Sequence, residues 1–192
     1  MANPNAPFGL RPVRHLCGGT IRPNEYTILD GYTTALYTGD PVVVSGTGKN
    51  VNIATAGSSG VVTGVFAGCK YTDTTGKHIT SPYWPASTAI LTGSTTTAFV
   101  YDDPWILFEV EYDGALVAAD VRLFTDLVSA AGSASRGTSG FSATGVAGSE
   151  DQLKIYGLSN TVRENTKNAY GANCVIEVLI ANHEFSSDSV EV

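Results

Sequence analysis

Apolar and polar residues alternate most cleanly over residues 105–112. There Ile106, Phe108, Val110 and Tyr112 fall on one side and Glu109 and Glu111 on the other. A period of two predicts a strand with one buried and one wet face. Shorter stretches of the same kind recur at residues 26–29, 41–44, 51–54, 61–66, 98–101 and 153–158. They are separated by turn signals such as Asp30-Gly31, Gly39-Asp40-Pro41 and the hairpin tip Ser45 to Asn50. Gly64 and Gly68, inside one of these patterns, predict a bulge or a sharp bend. The run CVIEVLIANHEF over 174–185 is apolar on both faces and belongs in the middle of a sheet.

One stretch has helical spacing instead. Over residues 115–130, Leu116, Leu123, Phe124, Leu127 and Val128 share one face, with Asp113-Gly114 to start a helix and Gly132 to stop it. The pattern therefore predicts a mainly β protein, an antiparallel barrel or sandwich-like body with one short helix. Residues 71–93 break the rhythm with Gly76, Pro82 and Pro85 around Tyr83 and Trp84, and read as a loop or flap used for contact. Residues 132–149 are rich in Gly, Ser and Ala and read as a flexible surface loop. The tail, 186–192, is acidic and reads as solvated.

The beginning of the chain follows neither period. Pro4, Pro7 and Pro12 fix the backbone and remove amide donors, so neither a helix interior nor a central strand can form there. Residues 1–19 read as an extended arm ahead of a body over 20–185. Within the arm, Phe8, Leu10 and Val13 are candidate anchors beside Pro7, and Arg11 and Arg14 are candidates to meet acidic surface. Such an arm can reach a partner, or it can fold back and cover an edge of its own sheet. Both readings stand on the sequence.

Composition supports a turn-rich β protein: 192 residues, 43% hydrophobic and 15% charged, with 21 Gly. Charge adds more when it is divided along the chain. The first 24 residues hold Arg11, Arg14 and Arg22 and no acid, whereas residues 78–121 hold six acids and no Lys or Arg. A basic arm on an acidic body suits association between copies. A net charge of −7 argues against nucleic acid as a ligand. Three dispersed cysteines, Cys17, Cys69 and Cys174, predict free thiols in a reducing compartment. The absence of a leader or a long apolar run predicts a chain made in a cytoplasm and not placed in a membrane.

Candidate chemistry is sparse. SGTGKN at Ser45 has no helix after it to hold a phosphate and reads as a hairpin tip. The three His and three Cys are not at metal-ligand spacing, so no metal or cofactor is expected. Asp102, Asp103, Glu109 and Glu111 could in principle form a carboxylate site, but two lie in a turn and two on the wet face of a strand. Tyr83 and Trp84 could stack on a sugar, which keeps a carbohydrate-binding or adhesive module as an alternative. The reading is that this is not an enzyme.

Several stretches together carry a resemblance: NPNAPFGLRPVRHL, YTGDPVVVSGTG with VNIA, GVVTGVFAGCKYTD, DDPWILFEVE and NCVIEVLIANHEF. In this order they resemble the capsid decoration, or cement, proteins of tailed bacteriophages, least of all over 132–149. The resemblance implies a virion protein without catalytic residues, made in the host cytoplasm. It also implies the major capsid protein and other copies of the chain as partners. On that expectation Pro7, Phe8, Leu10, Arg11, Val13 and Arg14 make one contact and Tyr83 with Trp84 a second.

Overall fold

The structure, a computed structural model, describes residues 2–46, 48–57, 60–148 and 151–186. The acidic tail beyond Ser186 lies outside the described residues. Two six-stranded sheets dominate, with antiparallel pairing between their strands. The first sheet contains β1 (Arg11–His15), and the second begins with β2 (Asn24–Tyr26). Then come β3 (Pro41–Val44), β4 (Val51–Ile53), β5 (Gly64–Thr72), β6 (His78–Ser81) and β7 (Thr97–Tyr101). The chain returns to the first sheet with β8 (Ile106–Glu111), β9 (Phe124–Val128), β10 (Ser142–Ala147), β11 (Leu153–Leu158) and β12 (Val175–Ile180).

The first sheet runs β1-β8-β12-β11-β9-β10 and the second β2-β7-β5-β3-β4, with β6 also paired to β5. The two apolar clusters explain how they stack. Val65 and the half-buried Val43 and Tyr101 join the first sheet's Phe108, Val110, Ile155, Ile176 and Val178. Phe66, Val42 and Val100, on the opposite face of the second sheet, join Leu36, Tyr71 and Trp84. Alternation along each strand thus feeds two cores, one between the sheets and one beyond the second sheet. The architecture is sandwich-like. Among the described residues no closed barrel forms, although a bridge between Tyr112 and Ala143 brings β10 toward the end of β8.

Three expectations need correction. Residues 115–130 are not an α-helix: they hold a short ladder strand (Ala115–Leu116), one 3-10 turn (Ala118–Asp120) and β9. Arg122, at φ 77, interrupts any right-handed run, and β9 gains partners on both sides, β10 and β11. Residues 71–93 are not an excursion from the sheet. Asp73 Oδ1 accepts from the amides of Thr75 and Lys77 and closes the β5–β6 hairpin, and Tyr83–Trp84 pairs with Leu36–Tyr37. Residues 132–148 likewise contain β10 and the buried Phe141.

Burial sets the chemistry of several ionisable groups. It pushes the Cys69 thiol up to about 12 and the Cys174 thiol up to about 11, so both stay protonated. Asp40 lies buried in a turn against Tyr37, whose amide donates to its Oδ2 at 2.8 Å. With Tyr37, Ile53, Gly132 and Phe141 it lines a cavity of about 350 Å³. Burial, only partly offset by hydrogen bonds from Ser139 and Tyr37, raises Asp40 from 3.8 to about 6.

The sign of the resulting pH dependence follows. Below 3.8 Asp40 is protonated in both folded and unfolded chains. Between 3.8 and about 6 the unfolded chain ionises first, and above that both are ionised. Asp40 therefore removes roughly 3 kcal/mol of stability as pH rises through this window. Urea unfolding followed from pH 4 to 7 should show that loss in the native chain and not in Asp40→Asn.

Candidate interaction site: the N-terminal arm and its carboxylate cradle

The arm folds back on its own body. Pro12 restricts β1 to a sheet edge, and the register with β8 shifts between Pro12 and Arg14, leaving Val13 as a bulge. Upstream, the Gly9 amide donates to the Phe141 carbonyl at 3.0 Å and the Leu10 amide to the Gly39 carbonyl at 2.9 Å. Gly9 has φ +75 and lies against Gly39 and Ser139 where a Cβ has no room, so a larger residue could not make this crossing. Leu10, at 1% exposure, then enters the core between the sheets.

The electrostatics differ from the expected wet face of β8. Glu109 and Glu111 are 7% and 1% exposed. Glu109 accepts from Arg11, whose Nε lies at 3.1 Å, and from the Ser159 hydroxyl. Glu111 Oε2 accepts from Arg163 Nη1 at 2.6 Å and from the Ala6 amide at 3.0 Å, while Arg163 also donates to the Ala6 carbonyl. The Phe8 ring has both guanidiniums nearby, Arg11 at 5.0 Å and Arg163 at 5.4 Å from its centroid. Asn3 reaches the carbonyls of Ala169 and Ala172, both at 2.9 Å. Two carboxylates on one strand thus form a cradle that pairs with Arg11 of the arm and Arg163 of the body and caps the arm's backbone at Ala6.

The arm ends in a tied turn. His15 Nε2 meets Asp103 Oδ2 at 3.0 Å, and its Nδ1 accepts from the amides of Cys17 and Gly19, each at 3.1 Å. Nearer the middle, Arg14 pairs with Glu177 at 3.0 Å and lies 5.0 Å over the Tyr156 ring. Asp102 is committed elsewhere, to Asn24 and the Tyr26 hydroxyl, each at 2.7 Å. The four carboxylates of the sequence candidate therefore divide among three separate sets of partners.

Among the arm residues singled out in the sequence, Leu10 is buried, Phe8 is half-buried, and Pro7, Arg11, Val13 and Arg14 remain exposed. Tyr83 and Trp84 do not join them. Trp84 is 0% exposed and meets Tyr71 edge-on at 5.0 Å; Tyr83 stacks on Tyr37 at 5.7 Å. A second contact through Trp84 is excluded by its burial. Sequence reasoning missed Ser159 and Arg163, which complete the cradle, and Trp105, 54% exposed, whose carbonyl accepts from the Leu16 amide. Only the turn signal Asp103-Pro104 before Trp105 hints at its exposure. No family model, no curated protein and no solved structure matches this chain.

Proposed function

We propose that the chain is a structural protein of a tailed-phage virion that binds the outer surface of the capsid and stabilises it by linking neighbouring capsomers. The observation that supports this best is a set of exposed apolar side chains on the first sheet: Val13 on the arm strand, Trp105 just before β8, and Tyr156 on β11 beneath the Arg14 side chain. Val13, Trp105 and Tyr156 are 40%, 54% and 46% exposed, and the arm touches the last two through Leu16 and Arg14. Exposed apolar area on a sheet that also offers an edge strand is the kind of surface that takes a protein partner. Many copies on one shell make each weak contact effectively intramolecular, so modest single affinities suffice. The carbohydrate-binding alternative rested on Tyr83 and Trp84 together; Trp84 is in the core, and the half-buried Tyr83 stacks on Tyr37.

The test is co-sedimentation with expanded, empty phage heads that lack a decoration protein. The native chain should sediment with the heads and raise the temperature at which they break. Trp105→Ala combined with Tyr156→Ala should weaken binding at least tenfold while leaving the circular dichroism of the chain unchanged. Heads that recruit neither protein would overturn the reading. Deleting residues 1–16 is a poor control, because it removes Leu10 from the core and the partners of Glu109 and Glu111.

A further inference from the structure

The cradle holds a segment that continues into the body through a short, exposed connector. After His15, residues 17–23 form no strand, and all of them except Ile21 are exposed. Gly18, at φ +76, has open space around it. This connector leads from an edge of the first sheet to β2 at an edge of the second. Fully extended, its seven residues span about 23 Å, enough to reach a body in contact but not to cross a whole domain.

We propose that the arm is exchanged reciprocally between two copies of this chain, each arm seating in the other's cradle. Such exchange conserves what holds the arm: Arg11 on Glu109, Arg14 on Glu177, the Ala6 backbone on Glu111 and Arg163, and Leu10 in the core. Only the connector changes conformation, giving up the hydrogen bonds of the Cys17 and Gly19 amides to His15 Nδ1, so the two states differ by few contacts. One-way transfer is disfavoured, because an empty cradle leaves the buried Glu109 and Glu111 without the arm's donors. Exchange therefore closes as a pair. The inference deepens the linking role proposed above, since an exchanged arm is a physical tie between neighbouring bodies.

Charge reversal across the Arg14–Glu177 pair tests it, and both side chains are accessible enough for the full-length variants to fold: 49% and 17% exposed. In Arg14→Glu alone and in Glu177→Arg alone, arm and cradle repel whether the arm seats at home or in an identical copy. In an exchanged pair of one of each, both contacts are matched. Mixing the two after brief warming should give a one-to-one heterodimer by native mass spectrometry, at about tenfold excess over either homodimer. The native protein gives an independent reading: isotopically heavy and light chains should form mixed dimers. Monomers throughout, or dimers indifferent to the charge reversal, would overturn the exchange. Neither result touches the capsid reading, which stands or falls on head co-sedimentation.

Discussion

Glu111→Ala should lower the free energy of unfolding by about 3–5 kcal/mol, among the largest effects of any single substitution outside the apolar core. The carboxylate is 1% exposed, and its removal leaves the Arg163 guanidinium, only 18% exposed, without its anion. The Ala6 amide loses its acceptor at the same time. Arg11→Ala is a useful contrast. That side chain is 57% exposed, so water can take over part of its role, although Glu109 stays buried. A cost near 1–2 kcal/mol is expected there. Urea unfolding separates the two, and limited proteolysis shows whether the loss is local: cleavage after Arg14 should accelerate sharply in Glu111→Ala. Equal costs for the two substitutions would mean that the deeper burial of the Arg163–Glu111 pair does not set its contribution.

Gln152→Ala should cost about 4 kcal/mol through a different route. The side chain is fully buried, and its Nε2 donates to the carbonyls of Thr55 and Gly60, both at 2.8 Å. Its Oε1 accepts from the amides of Gly57 at 2.8 Å and Leu127 at 3.4 Å. One amide group thus ties the turn after β4 to β9 in the opposite sheet. Truncation takes a partner from four backbone groups, each costing about 1–3 kcal/mol when unsatisfied; the Gly60 carbonyl keeps Asn182 Nδ2 at 3.3 Å, and water recovers part of the loss at the exposed Thr55 and half-exposed Gly57. Gln152→Glu keeps the shape but offers no donors, so it should be nearly as damaging at neutral pH. Chemical denaturation with an unchanged m-value would confirm that stability, and not compactness, has changed.

These two residues mark where sequence reading stops. Strands were legible wherever side chains alternate, and the placement of 174–185 in mid-sheet followed from its two apolar faces: β12 lies between β8 and β11. The faces of β8 were misread because Glu109 and Glu111 look like a solvated edge. The groups that bury them lie 98 residues upstream at Arg11, and 50 and 52 residues downstream at Ser159 and Arg163. No local pattern announces a partner at such separations. The helix expected over 115–130 failed for a related reason. Its apolar spacing is compatible with two short strands once Arg122 turns the chain, and cross-strand pairing outweighs intrinsic preference. Trp84, set between prolines, reads as exposed loop, yet its pairing with Leu36 carries it inside.

The position of β12 also governs the order in which the molecule can be completed. Every other strand of the first sheet is synthesised before it, yet β8 and β11 meet only through it. Until β12 is released, β8 has no partner on that side, and the core between the sheets lacks Ile176 and Val178. The nascent chain must therefore carry an open, apolar half-sheet, whose bare edges invite pairing with other nascent chains. Closure then depends on contacts distant in sequence and should be slow for a domain of this size. Folding of the first sheet thus has a built-in delay, during which the exposed half-sheet competes between closing on β12 and pairing with another chain.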